Sequence, residues 1–365
     1  MSPNTFAFMI HPMHAGDVAR KFKFARFVPE RVVERAFSLL PAMKVSDITG
    51  IQSSCGQTSG WFIACPLTAR LMTSLPKQYV LNKIIQGGHL AEKLGAKIFG
   101  LGAFTKVIGD AGITVAKNLK IPVTTGNSYT VATAVEATRE AARVMGHDLK
   151  EASVVVLGAT GAIGRVCARI LANETRSMTL AARNERKLDD LASKILYDSG
   201  LAVKITPDIK KALASADVVI TVTSAVDTVI EPEDLKPGAV VCDVARPRDV
   251  SRRVAEVRND VLVIEGGVVE VPGDVNFNLN FGFPPGMAYA CMAETMVLAL
   301  EGRFESYTLG RDLALSQVEE IAALAKKHGF RLAGFRSFGR AMSEQEITAI
   351  GQNARKALLV KGALK

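Results

Sequence analysis

Residues 153–169 read SVVVLGATGAIGRVCAR. Ser153–Leu157 is a short apolar, β-branched run, the pattern of a strand buried on both faces. Gly158, Gly161 and Gly164 follow with the spacing G-x-x-G-x-x-G, and then a helical pattern begins. Strand, glycine turn and helix in that order aim backbone N–H groups at one point, a helix N-terminus that suits a dinucleotide pyrophosphate. Glycines alone are a weak signal, and the strand before and helix after them give this set its weight. Gly158, Thr160, Gly161, Ala162, Ile163 and Gly164 are therefore the candidate cofactor cradle.

Downstream, strand patterns recur at Met178–Ala181, Ala202–Ile205, Asp217–Thr223, Ala239–Asp243 and Val261–Ile264, with helices or turns between them. Six such strands predict a doubly wound parallel sheet of the Rossmann kind. An NAD site usually has a carboxylate near the end of the second strand. Here that position reads Ala182-Arg183-Asn184-Glu185-Arg186. A guanidinium matches a 2′-phosphate, so Arg183, with Asn184 and Arg186, points to NADPH. Thr223 and Ser224 after the fourth strand, and Gly266 and Gly267 after the sixth, should line the cofactor groove.

The chain has 365 residues, 48% hydrophobic and 22% charged, enough for two cored domains and unlike a disordered chain. No apolar run reaches membrane-spanning length, and the first residues lack a signal-peptide pattern, so the expectation is a cytoplasmic protein with at most peripheral membrane contact. Net charge is +9, which favours acidic partners. Arg20, Lys21, Lys23, Arg26, Arg31 and Arg35, with Phe22, Phe24 and Phe27 among them, form either a solvated face or a docking surface for such a partner. No nucleic-acid motif is present, and none is expected as a partner.

Before the glycine loop, Phe6–Ile10, Val45–Ile48 and Trp61–Ala64 read as strands, with Gly50–Gly60 a polar turn. Thr68–Leu94 is helical but broken at Pro76. His11 and His14 follow the first strand and lack a third metal ligand, so no metal site is expected. Lys97–Leu101 and Ile121–Thr124 are strands ending in small, polar loops, where α/β proteins bind ligands. Phe104, Thr105, Thr125, Gly126, Asn127 and Ser128 are the substrate candidates, although Asn127 and Ser128 also suit helix capping. The predicted division is an α/β substrate domain over 1–127, a nucleotide-binding domain over 128–286, and C-terminal helices over 287–365 that return to the first domain.

Five cysteines are scattered without a C-x-x-C pair, so no disulfide framework or zinc site is indicated. Cys291 stands out. It follows Phe283-Pro284-Pro285-Gly286, with a helix predicted to start near Met287 or Ala288, so it lies early in that helix, where the dipole favours a thiolate. Cys291, Glu294, Thr295 and Leu298 share one face. A thiolate combined with a nicotinamide is the equipment for forming and reducing an acyl thioester. Cys167 and Cys242 read as core residues, and Cys55 and Cys65 stay open.

The segments LGAFT (101–105), TTGNSYT (124–130), VVVLGATGAIG (154–164), LAARN (180–184), EGGVVE (265–270) and YACMAETMVLALEG (289–302) together resemble the aldehyde-forming long-chain acyl-(acyl-carrier-protein) reductases of cyanobacteria. The resemblance runs from about Phe6 to Phe330 and leaves 331–365 as an extension. It implies that Cys291 carries an acyl thioester and that NADPH reduces it to a fatty aldehyde. It also implies acyl carrier protein or coenzyme A as carrier and an aldehyde-consuming enzyme downstream. Other readings are a shikimate- or amino-acid-type NADP-dependent dehydrogenase with direct hydride transfer, a glutamyl-tRNA reductase-like enzyme using Cys55 or Cys65, and a nucleotide-binding redox sensor.

Overall fold

The structure is a computed structural model and describes residues 4–14, 16–17, 27–280 and 282–363. The chain forms two compact units. One comprises Met1–Tyr129 with Val269–Arg331, the other Thr130–Val268 with Leu332–Lys365.

The first unit opens with β1 (Thr5–Ile10), α1 (Glu30–Leu39), β2 (Met43–Ser53) and β3 (Gly56–Ala64). Next come α2 (Ala69–Ser74), α3 (Lys77–Leu94), β4 (Ile98–Leu101), α4 (Phe104–Val107), α5 (Ile113–Lys117) and β5 (Val123–Thr124). The sheet order is β2-β3-β1-β4-β5, parallel except for the β2–β3 hairpin. Phe6, Phe8, Phe62, Phe99 and Ile63 are fully buried in its core. Pro76 separates α2 from α3, as its missing N–H and fixed φ require. The polar turn expected over Gly50–Gly60 is instead mostly strand. β2 runs on to Ser53, with a register shift between Ile48 and Ile51. Gly50 sits there at φ +76°, and a Cβ on it would lie 1.9 Å from the Asp274 carbonyl oxygen. The glycine thus serves a bulge and a close approach within the strand rather than ending it.

The chain crosses between units within α6 (Asn127–Met145), which ends at Gly146 in the left-handed conformation. Then follow β6 (Ser153–Leu157), α7 (Ala162–Leu171), β7 (Ser177–Ala181), α8 (Glu185–Ser199), β8 (Lys204–Thr206) and α9 (Ile209–Leu213). β9 (Val218–Thr221), β10 (Val240–Asp243), α10 (Arg252–Val257) and β11 (Leu262–Glu265) complete the pattern. The sheet order β11-β10-β9-β6-β7-β8 is all parallel and reverses beside β6. That is the doubly wound Rossmann order, with the switch point where the glycine turn emerges. The predicted fold class holds.

The remaining chain divides differently from the predicted 128–286 and 287–365. Residues 269–331 belong to the first unit, with β12 (Met287–Tyr289), α11 (Ala290–Glu301) and α12 (Leu315–Lys327). α11 starts at Ala290, after a short strand where the sequence suggested helix. It is apolar nearly all round and buried from Met292 to Leu300, so it is a core element of that unit. His328, 2% exposed, ties its end to the β2–β3 turn: Ser53 Oγ lies 2.9 Å from Nδ1 and Glu301 Oε2 lies 2.8 Å from Nε2. Residues 332–365 belong to the second unit, as the hairpin β13 (Arg336–Ser337) and β14 (Arg340–Ala341) and the helix α13 (Glu344–Ala363). The Gly339 N–H donates to Glu265 Oε1, and the Arg248 guanidinium lies over the Phe338 ring. The extension 331–365 therefore completes the second unit almost entirely, by covering the end of β11. No described helix is long and apolar enough to cross a membrane.

Candidate active site

In the second unit the β6–α7 turn is built around its glycines. Gly158 takes φ +72°, where a Cβ would lie 2.6 Å from the Val222 carbonyl oxygen. A Cβ on Gly164 would lie 2.5 Å from the Gly158 carbonyl oxygen, so only glycine lets α7 close on the turn. Gly161 is the N-cap of α7, and no side chain caps that end. The first-turn N–H groups of a helix have no intrahelical acceptor, so this end is prepared for an external anion. Arg183 and Arg186 are exposed and without a hydrogen-bond or ion-pair partner among the described residues. The residues present fit a dinucleotide.

The other second-unit candidates have different local tasks. Asn184 caps α8, its side chain accepting from the Lys187 N–H at 3.0 Å, so its amide oxygen is already engaged. Thr223 donates its hydroxyl and its N–H to the buried Asp249, which also accepts from Thr221 Oγ1. Asp249 thereby fixes the loop after β9, while Ser224 beside it is exposed. Gly266 packs where a Cβ would meet Cys242 Sγ at 2.7 Å, and Gly267 takes φ +80°. Both serve the turn itself.

The first unit holds the thiol. Cys291 is the second residue of α11 and keeps part of its surface open. Gly126, at φ +72°, lies against it: a Cβ there would come within 2.3 Å of Cys291 Cα. One turn further along α11, Glu294 is fully buried and accepts five hydrogen bonds. The donors are the N–H groups of Gly126 (3.1 Å) and Tyr129 (2.9 Å) and the hydroxyls of Thr124, Ser128 (2.6 Å) and Thr308 (2.7 Å). The carboxylate of one helix thus caps the N-terminus of α6 and locks the loop carrying Gly126 against Cys291.

The substrate candidates therefore come together, but most of their polar atoms are committed. Thr125 Oγ1 donates to the Thr308 carbonyl at 2.6 Å, and Ser128 is held by Glu294. Thr105 Oγ1 both donates to and accepts from Gly102. Phe104 is buried edge-on to His11. The expectation that these hydroxyls face a ligand is corrected: they build the wall of the site. Asn127 differs, with a buried Oδ1 that has no hydrogen-bond partner among the described residues. His11 is likewise committed, its Nε2 accepting from the Phe104 N–H at 3.2 Å while Nδ1 meets the Pro12 carbonyl. Burial lowers its pKa to about 4, so it is a neutral structural imidazole at neutral pH.

The cysteines separate cleanly. Burial pushes the thiols of Cys65 and Cys242 up to about 12 and that of Cys167 higher still, and Cys55 is exposed. Burial also raises Cys291, with Glu294 adding to it, but the charge of Lys106 opposes both. Lys106 stands in α4, in a loop the sequence reading singled out without assigning it a role. Glu294 had a stronger signal, as an acid in the middle of an otherwise apolar stretch, one turn after Cys291. Of the basic docking cluster, residues 20–26 lie outside the described residues, and Arg31 and Arg35 are exposed on α1.

The chain is similar to several known proteins. Residues 139–265, most of the second unit, match the family described as shikimate / quinate 5-dehydrogenase. The chain is 27% identical over 332 residues to a long-chain acyl-[acyl-carrier-protein] reductase of Synechococcus elongatus, covering 87% of this chain and 94% of that protein. It is 32% identical over 357 residues to the aminotransferase PigE of a Serratia species, covering 94% of this chain but only 41% of that longer protein. A glutamyl-tRNA reductase of Methanosarcina barkeri is 36% identical over 117 residues, 29% of this chain and 25% of that protein. The chain is related to NAD(P)-dependent oxidoreductases. The family match covers the glycine turn of the second unit and does not reach the thiol of the first.

Proposed function

We propose that this protein reduces long-chain fatty acyl thioesters to fatty aldehydes with NADPH, through an acyl-enzyme on Cys291. The observation that carries the reading is the placement of Cys291: the one described cysteine that is neither sealed in a core nor on an open turn, backed by Gly126, whose N–H Glu294 accepts. The Cys291 thiolate attacks the acyl carbon and expels the carrier thiol. The backbone of Gly158, Thr160, Gly161, Ala162, Ile163 and Gly164 would hold the cofactor pyrophosphate, and Arg183 with Arg186 its 2′-phosphate. When bound, NADPH supplies the hydride that releases the acyl group as aldehyde.

The acyl-[acyl-carrier-protein] reductase relative, aligned along nearly its whole length, supports the substrate class. The basic N-terminal segment, Arg20 to Arg35, suits an acidic carrier protein. The product would pass to an aldehyde-consuming enzyme, and an aldehyde is a natural partner for amino-group transfer, which agrees with the aminotransferase relative. Location in the cytoplasm completes the proposal. The test is aldehyde formation from palmitoyl-CoA or acyl-carrier-protein with NADPH. Cys291→Ser should lose at least about a thousandfold in rate, the effect of removing a covalent nucleophile. Aldehyde formation at an undiminished rate would overturn the reading.

A further inference from the structure

We propose that Lys106 is the acid–base partner of Cys291, taking the thiol proton and returning it to the carrier thiolate that leaves. This proposal rests on the acyl-enzyme reading above.

The placement follows from the first-unit sheet. β4 and β5 are parallel neighbours, with Gly100 beside Thr124, so the loops after them emerge at the same edge. The loop after β5 meets the start of α11, and β4 itself packs against the next turn of that helix. A Cβ on Gly100 would lie 2.1 Å from Thr295 Oγ1, and Gly126 lies against Cys291 itself. Lys106 is carried at that edge on α4, whose position is pinned. Thr105 is bonded to Gly102 in both directions, the Phe104 N–H is held by His11, and Ala103 takes φ +45°, a conformation rare for a residue with a Cβ. Such over-determined backbone is a common feature of functional loops.

Lys106 is half-buried and has no hydrogen-bond or ion-pair partner among the described residues. A lysine withdrawn from water without a carboxylate to bond is unusual, since burial disfavours its charge. The groups its charge acts on are Cys291 and Glu294. Glu294 already accepts from five donors of the protein. His11 is blocked at both nitrogens, and the Tyr307 hydroxyl is engaged between Glu320 and the Gln317 carbonyl. Among the described residues, that leaves Lys106 as the uncommitted cation, carried at the same sheet edge as the Gly126 loop, whose charge acts on the thiol. Burial lowers its pKa, while Cys291 and Glu294 raise it again, so the neutral amine is more accessible than on an exposed lysine.

The step is a thioester exchange and balances without a reductant. Neutral Nζ takes the proton from Cys291 Sγ. The Sγ–carbon bond forms as the bond from that carbon to the carrier sulfur breaks. The carrier sulfur leaves with the electron pair and takes the proton from the Lys106 ammonium. The products are acyl-enzyme and carrier thiol.

Two variants separate the field of Lys106 from its proton. Lys106→Met removes both, and Lys106→Arg keeps the charge but cannot give the proton up. The first readout needs no substrate: the pH dependence of iodoacetamide alkylation at the Cys291 peptide, followed by mass spectrometry. Lys106→Met should move the midpoint up by about one unit and slow alkylation near neutrality about tenfold, while Lys106→Arg should stay near wild type. The second is the single-turnover release of coenzyme A from palmitoyl-CoA without NADPH, which should fall at least about tenfold in both variants. An unchanged alkylation midpoint in Lys106→Met overturns the proposal, as does wild-type coenzyme A release by Lys106→Arg. If wild-type protein releases no coenzyme A, the acyl-enzyme reading fails, and the alkylation profile still decides the pairing of Lys106 with the thiol.

Discussion

The chain makes the same local construction twice. β5 runs into Thr125-Gly126-Asn127 and then α6, and β6 runs into the Gly158–Gly161 turn and then α7. Each turn holds a glycine at φ +72° at a close backbone approach. Their helix N-termini meet different fates. In the first unit the protein supplies its own anion, the Glu294 carboxylate, which takes the donors of the turn. In the second, α7 has no side-chain cap, and two arginines stand unpaired after the next strand. One turn is a closed joint beside a thiol, and the other is left open, as the proposed phosphate seat requires. A glycine-rich strand–helix turn is therefore not a binding site until the occupant of its N–H groups is known.

Removing the internal anion should have the largest effect. Glu294→Leu leaves buried donors without an acceptor, a defect worth about 3–5 kcal/mol. Urea unfolding should show that loss, and a change under about 1 kcal/mol would contradict the joint. The converse change closes the open seat. Gly161→Asp places a carboxylate at the N-cap of α7, mimicking Glu294, and should weaken NADPH binding about a hundredfold, or roughly 2.7 kcal/mol, in a fluorescence titration. Unchanged affinity would show that the phosphate does not sit there. Arg183→Ala should raise the KM for NADPH about tenfold and leave that for NADH nearly unchanged. An equal rise for both would remove Arg183 from the 2′-phosphate site.

The units also differ in their response to pH. Burial holds His11 at about 4 in the folded first unit, below its ordinary 6.5. The unfolded chain binds that proton first, so this contribution is present above pH 6.5 and is lost as pH falls to about 4, by up to about 3 kcal/mol. In the second unit burial, with Asp249 adding, raises Asp243 to about 7. Its contribution has the opposite sign: it favours the fold at low pH and is lost as pH rises through about 7. Hydrogen exchange at pH 5 and pH 7, resolved by unit, should show the first unit gaining protection with pH more steeply than the second. Equal slopes would contradict these assignments.

The second unit was legible because parallel strands buried on both faces read as short apolar runs, and Ser153–Leu157 to Val261–Ile264 all appear as strands close to their expected bounds. The first was less so. Gly50 reads as a turn residue unless the Asp274 backbone across from it is known. The return of 269–331 to the first unit was only partly visible, since an apolar helix such as α11 does not state which core it enters. Cys291 was legible from its place after Pro284-Pro285-Gly286. The commitments of Thr105, Thr125 and Ser128 were not, because a hydroxyl in a loop looks the same whether its partner is a ligand or Glu294, more than 160 residues away.

The central claim is that Cys291 carries the acyl group. Its most direct test is intact-protein mass spectrometry after incubation with palmitoyl-CoA in the absence of NADPH, followed by peptide mapping. One palmitoyl adduct on Cys291, removed by hydroxylamine and absent from Cys291→Ser, is the predicted result. No adduct, or one on Cys55 that persists in Cys291→Ser, would contradict it.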